Sequence, residues 1–154
     1  MICIAAFDPG STTGAFAILY PDHPSGIYPL SVLDIPSADG QVDAPSLTRL
    51  LKTYGPTHAV IERVSSMPKQ GVASTFKFGV AYGIIQGVVG ALNIPVQFVT
   101  PTKWKKHFGL SADKEESRAR ALQLWPSRSE LFARKKDHGR AEAALLALYF
   151  AETL

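Results

Sequence analysis

The sequence predicts an α/β layered fold built on a mixed five-stranded sheet flanked by helices. Three observations carry this. Three apolar strand-like segments come first, joined by short turn sequences. Helical and strand patterns then alternate through the middle of the chain, and helical patterns close it. The opening hairpins make the sheet mixed rather than wholly parallel.

Ile2–Phe7 reads as a buried strand ending at Asp8, and Gly14–Tyr20 as its antiparallel partner across the turn PGSTT. Ile27–Ile35 is a third strand, reached through the turn residues PDHPSG. Ala44–Tyr54 places Leu47, Leu50 and Leu51 at helical spacing and stops before Gly55-Pro56. His58–Glu62 is a fourth strand that again ends on a single acid, followed by the loop VSSMPKQG. Ser74–Leu92 reads as a long helix carrying Gly79, Gly83, Gly87 and Gly90. Each glycine costs about 1 kcal/mol of helix propensity, so the stripe is expected to pack closely against the sheet or another helix. Ile94–Val99 is the fifth strand. Pro101–Phe108 is a short helix with Thr100 as cap and Pro101 in its first position. Ala112–Trp125 is a helix ended by Pro126, and the last helix runs from about Gly139 to Glu152 with a strongly apolar face.

The 154 residues are expected to form one domain, 1–154, large enough for a real core. No apolar stretch reaches the roughly 18 residues of a membrane span, and no secretory leader is evident. The lone Cys3 lies inside the first strand and reads as an inert core thiol in a reducing cytoplasm. Net charge is only +3, but basic residues cluster in KWKKH (Lys103, Lys105, Lys106, His107) and in ARKKDHGR (Arg134, Lys135, Lys136, Arg140). Such clusters suit a polyanion such as nucleic acid, and a solvated helix face is the competing reading of each.

Asp8 and Glu62 share one context, the end of a strand before a Gly- or Ser-containing loop. On neighbouring strands they meet at the sheet edge where open α/β folds bind ligands. Glu142 is the acid near the start of an otherwise apolar helix, with His138 four residues before it and Asp137 five before. Converging, these groups make an oxygen-rich site with one imidazole, suited to Mg²⁺ or Mn²⁺. Two such ions roughly 3.5–4 Å apart would serve phosphodiester hydrolysis. Each residue also has a plainer use. Asp8 before Pro-Gly can bond turn amides, Glu62 can pair with Arg63 or a lysine, and Asp137 can cap the last helix. Glu142 resists a plain reading, because a buried unpaired carboxylate is costly. The turn after Asp8 is also a phosphate-cradling signature of two-domain ATPases. One copy in a chain this short speaks against that use and against any small-molecule cofactor.

The segments FDPGSTTGAFAIL, AVIERV, GVASTFKFGVAYGIIQGVVGALNIPV, VTPTKWKK and KKDHGRAEAALLALY, in this order and spacing, resemble the RuvC-like Holliday junction resolvases of the RNase H and retroviral-integrase superfamily. The likeness spans nearly the whole chain and is greatest to the short bacteriophage and prophage members. It implies an RNase H-like fold, a homodimer that nicks a four-way junction symmetrically, and a bacterial or phage-encoded protein. It implies Asp8, Glu62 and Glu142 as catalytic metal ligands, joined by Asp137 or His138, and two Mg²⁺ ions, replaceable by Mn²⁺, in each site. Lys103 matches a lysine before the short helix, and Lys114 a second DNA-contacting lysine. Lys69, Lys105, Lys106, Lys135, Lys136 and Arg140 are further candidates for DNA phosphates, with Lys77 a weaker one. There are two departures. Gly139 stands where many cellular members carry an aspartate three residues before the last acid, and Ser65 stands where they insert an aromatic at the junction centre. Met67 is the candidate apolar wedge in its place. Trp104, at helical spacing from Phe108, reads as core rather than as a base-stacking residue.

Overall fold

The computed structural model describes residues 1–25, 29–65 and 69–154. The sheet is built from β1 (Ile4–Asp8), β2 (Ala15–Leu19), β3 (Leu30–Asp34), β6 (His58–Glu62) and β7 (Val96–Val99). A small hairpin of β4 (Ser37–Ala38) and β5 (Gln41–Val42), absent from the sequence prediction, sits apart from it. The strand order is β3-β2-β1-β6-β7, with β1, β2 and β3 antiparallel in turn and β1, β6 and β7 parallel. The mixed five-stranded sheet is therefore as predicted. The first two residues of the expected third strand, Ile27 and Tyr28, lie outside the described residues, as does Met67.

Strand side chains alternate between faces, and the core divides accordingly. Ile4, Ala6, Ala17, Leu19 and Val60 face one layer, filled by α5 (His138–Thr153) with α3 (Pro101–His107) and α4 (Lys114–Leu124) beside it. Ala5, Phe7, Phe16, Ile18, Ala59 and Ile61 face the other, covered by α1 (Ala44–Tyr54) and α2 (Val72–Ala91). Phe7 stacks on Phe16 with ring centroids 5.6 Å apart in that second layer. Helix α5 is apolar nearly all round because it is the central helix of its layer, from Ala141 to Phe150 without an exposed residue.

The caps follow the sequence signals. Asp43 caps α1 through the Ser46 amide, and Gly55 closes it at φ 64°. Thr100 and Asp113 cap α3 and α4. Helix α4 begins at Lys114, two residues later than its apolar pattern suggests, because Asp113 takes the cap position. Short 3₁₀ turns at Pro126–Leu131 and Lys135–Asp137 lead into α5.

Helix α2 departs from expectation. A Cβ built on Gly79, Gly83, Gly87 or Gly90 meets nothing within 4 Å, so none of these glycines is packed against the described residues of this chain. The buried face is carried instead by Ala81, Ile85, Val88 and Val89. Val72 and Phe76 are 88% and 74% exposed, leaving a smooth apolar outer stripe. By length and composition α2 is apolar enough to cross a membrane, contrary to the sequence reading; here its inner face packs on the sheet.

Candidate active site

The alternation that builds the core also places the acids. Asp8 continues the Ile4–Ala6 side of β1 and Glu62 the Val60 side of β6, so both carboxylates belong to the α5 face. In the parallel register Phe7 pairs with Ile61, and one step further brings Asp8 level with Glu62. Glu142 reaches the same edge from α5 and is only 4% exposed.

Asp8 and Glu62 both feel the charge of Glu142. Part of Asp8 reaches the surface, yet its carboxyl is set deep enough that burial pushes its pKa well above the usual range, with Glu62 and Glu142 adding to the rise and Lys114 and Lys105 opposing it. Glu62 is also raised, first by burial and then by Glu142. Against this, the Trp104 indole N–H donates to Glu62 Oε2 at 2.8 Å. Trp104 is fully buried, as the core reading requires, and it also orients an acid.

Two lysines enter the cluster. Lys105 Nζ lies 3.2 Å from Glu142 Oε2, and Lys114 Nζ lies 4.0 Å from Oε1. The lysine at the acids is thus Lys105 rather than Lys103, which is exposed.

Asp137 and His138 part company. Arg134 donates to Asp137 from its backbone N at 2.9 Å and from its guanidinium at 2.9 and 3.2 Å, and Arg140 stands 3.8 Å away. Burial raises the Asp137 pKa, but the Arg134 bonds outweigh it and hold the carboxyl below its ordinary value. None of the three acids is among its partners. Asp137 ties the turn before α5 to Arg134 and makes no side-chain capping bond to α5, so the helix-cap use open to it in the sequence is not the one it takes. His138 instead senses Lys114 and Glu142, with burial lowering its pKa, and its buried Nδ1 has no hydrogen-bond partner. Asp137→Asn should therefore cost about 2 kcal/mol of stability, measured by urea unfolding at pH 7, and leave Mn²⁺ affinity within about twofold. A carboxyl with a lowered folded pKa stabilises above its unfolded value of about 3.9, so the gap to wild type should close as pH falls below that.

A Cβ on Gly139 would stand 3.0 Å from Asp8 Oδ2 and 3.3 Å from the Thr13 carbonyl oxygen, so the glycine gives Asp8 its space. Arg140, a candidate DNA contact, is bound to Asp34 at 2.9 and 3.0 Å and braces α5 to β3. Lys69, Lys103, Lys106, Lys114, Lys135 and Lys136 are exposed.

The donor set, three carboxylates and an imidazole, fits a hard divalent cation. Among the described residues His138 Nδ1 is buried without a hydrogen-bond partner, as an unfilled ligand atom would be, while buried Glu142 Oε2 has the Lys105 ammonium as its counter-charge. Among the described residues, no three His, Cys, Asp or Glu side chains are gathered closely enough to hold one ion.

No family model and no curated protein sequence matches the chain. Solved structures do. Thermus thermophilus RuvC in complex with a Holliday junction substrate superposes with a TM-score of 0.75 at 19% identity, over 98% of this chain and 93% of that one. A second Thermus thermophilus RuvC structure gives 0.68 at 19%, over 99% and 96%. The fowlpox virus Holliday junction resolvase gives 0.61 at 18%, over 99% of each chain. Across almost its full length, the chain has the RNase H-like fold of the RuvC-type Holliday junction resolvases.

Proposed function

We propose that the protein is a metal-dependent endonuclease that cuts Holliday junctions and related branched DNA by paired nicks in a homodimer. The observation that carries this reading is the convergence of Asp8, Glu62 and Glu142 from two strands and a helix onto one sheet edge, with Lys105 and Lys114 among them. Asp8, Glu62, His138 and Glu142 are the groups that would hold Mg²⁺ or Mn²⁺. Two ions per site would activate a water and stabilise the leaving oxygen of a phosphodiester. Trp104 fixes the Glu62 carboxylate, and Gly139 leaves the Asp8 carboxylate room. The exposed lysines supply phosphate contacts, which set affinity and register without reading sequence.

A broader branched-DNA nuclease is the second reading, favoured by Ser65 standing where cellular resolvases place an aromatic. Cleavage of four-way junction, flap, fork and linear duplex, in Mg²⁺ and in Mn²⁺, separates the two. Symmetric nicks confined to the junction support a resolvase, equal cutting of every branch supports the broader nuclease, and no cutting of any branch overturns both.

The apolar outer stripe of α2 is the surface we assign to the dimer. Four open glycines would normally weaken a helix, and a second copy seated on them gives the close approach they permit. Gly83→Arg should weaken the dimer at least tenfold by sedimentation equilibrium while the monomer stays folded. A wild-type protein that is monomeric at micromolar concentration would remove this assignment.

A further inference from the structure

We propose that Lys105 and a divalent ion compete for Glu142, and that a DNA phosphate decides between them. The proposal rests on the nuclease reading of the site. Lys105 is mostly buried, and its ammonium lies 3.2 Å from an oxygen of the more deeply enclosed Glu142. It also stands 5.3 Å over the ring of Trp104, the indole that holds Glu62. A cation therefore already occupies the neighbourhood of two of the three acids. An ammonium and a divalent ion repel at this range, so each lowers the other's hold on Glu142. The absence of a ready three-donor set among the described residues agrees with this.

Lys105 has somewhere else to go. It lines a cavity of about 490 Å³ between α3 and the start of α4, together with Thr102, Lys106 and Leu110. Lys105 and Lys106 are its charged lining residues, and no acid is among them. Its charge suits an anion, and beside a nuclease site that anion is a backbone phosphate of the bound strand. A phosphate seated there draws Lys105 from Glu142 and frees the carboxylate for the ion. Metal loading and DNA binding are then linked, each strengthening the other by the same factor. Lys114 cannot play this part equally, because it is 4.0 Å from Glu142 and its side chain is 58% exposed.

The test is Mn²⁺ binding read by electron paramagnetic resonance, which needs no turnover. Without DNA, Lys105→Gln should bind Mn²⁺ at least tenfold more tightly than wild type, Lys105→Arg should stay within threefold, and Lys114→Gln should also stay within threefold. Four-way junction, freeze-quenched within the first turnover, should tighten Mn²⁺ binding to wild type at least fivefold and leave Lys105→Gln unchanged. If Lys105→Gln binds Mn²⁺ no more tightly than wild type, the competition is refuted. If the junction tightens both proteins equally, the phosphate's role is refuted. The arms without DNA stand whether or not the protein cleaves any branch, so failure of the nuclease reading is recognised separately in the cleavage assay.

Discussion

Asp8→Asn is expected to abolish cleavage, by about 10³-fold or more, while leaving junction affinity in the absence of divalent metal within about twofold. Loss of one charged ligand from a site that stabilises a phosphoryl transition state removes several kcal/mol. Without metal the proposed phosphate contacts of the exposed lysines carry the affinity, and of these only Lys114 lies near the acids. Asparagine keeps the shape that packs beside Gly139 and Thr13, so the loss is chemical rather than structural. The variant should also be more stable than wild type at pH 7 without metal. The Asp8 pKa is raised in the folded state, so the ionised form destabilises the fold above the unfolded value, and that penalty is absent below it. The stability gain of Asp8→Asn should therefore fade as pH falls below about 4. Thermal unfolding across pH, a cleavage time course and a binding titration check the three parts. Cleavage at the wild-type rate would take Asp8 out of the site, and a drop in stability at pH 7 would show that the acids are not repelling one another.

What was legible in the sequence was what local pattern determines. The strand-end acids at Asp8 and Glu62 could be placed at one edge because strand alternation and parallel neighbours are properties of periodicity. Glu142 stood out because nothing else near the start of an apolar helix carries a negative charge. Asp137 and His138 could not be separated, because the choice turns on Arg134, whose guanidinium happens to fold back over three residues. Lys105 was hidden among three lysines, since only its tertiary contact with Glu142 says which of them faces inward. The glycines of α2 left their partner open for a related reason. Spacing shows that a stripe is smooth, but the partner it implies need not be in the same chain.

Gly14→Ala is the second large effect, and it concerns the turn that delivers Asp8. In this turn Gly10 and Gly14 lie back to back. A Cβ on Gly14 would stand 2.7 Å from the Gly10 nitrogen, 2.9 Å from the Asp8 carbonyl oxygen and 3.0 Å from the Gly10 carbonyl oxygen. All three are backbone atoms, so no side chain can rotate away to relieve the contact. The main chain cannot shift freely either. Gly14 accepts a hydrogen bond from the Ile35 amide at 2.9 Å, and the adjoining Ala15 pairs with Asp8 in the β1–β2 ladder. Relief must come from displacing the end of β1, and with it the Asp8 carboxylate. Overpacking of this kind costs about 3 kcal/mol or more, which for a chain of this size lowers the melting temperature by roughly 6–12 °C. Cleavage should fall at least tenfold even at temperatures where the variant is fully folded, because a carboxylate misplaced by about 1 Å loses most of its effect. Gly87→Ala is the internal comparison. Its added Cβ meets open space, so the monomer should gain up to about 1 kcal/mol from helix propensity. Should Gly14→Ala melt within a degree of wild type, the turn is more compliant than its contacts allow, and the tight placement of Asp8 would have to be sought elsewhere, at Gly139.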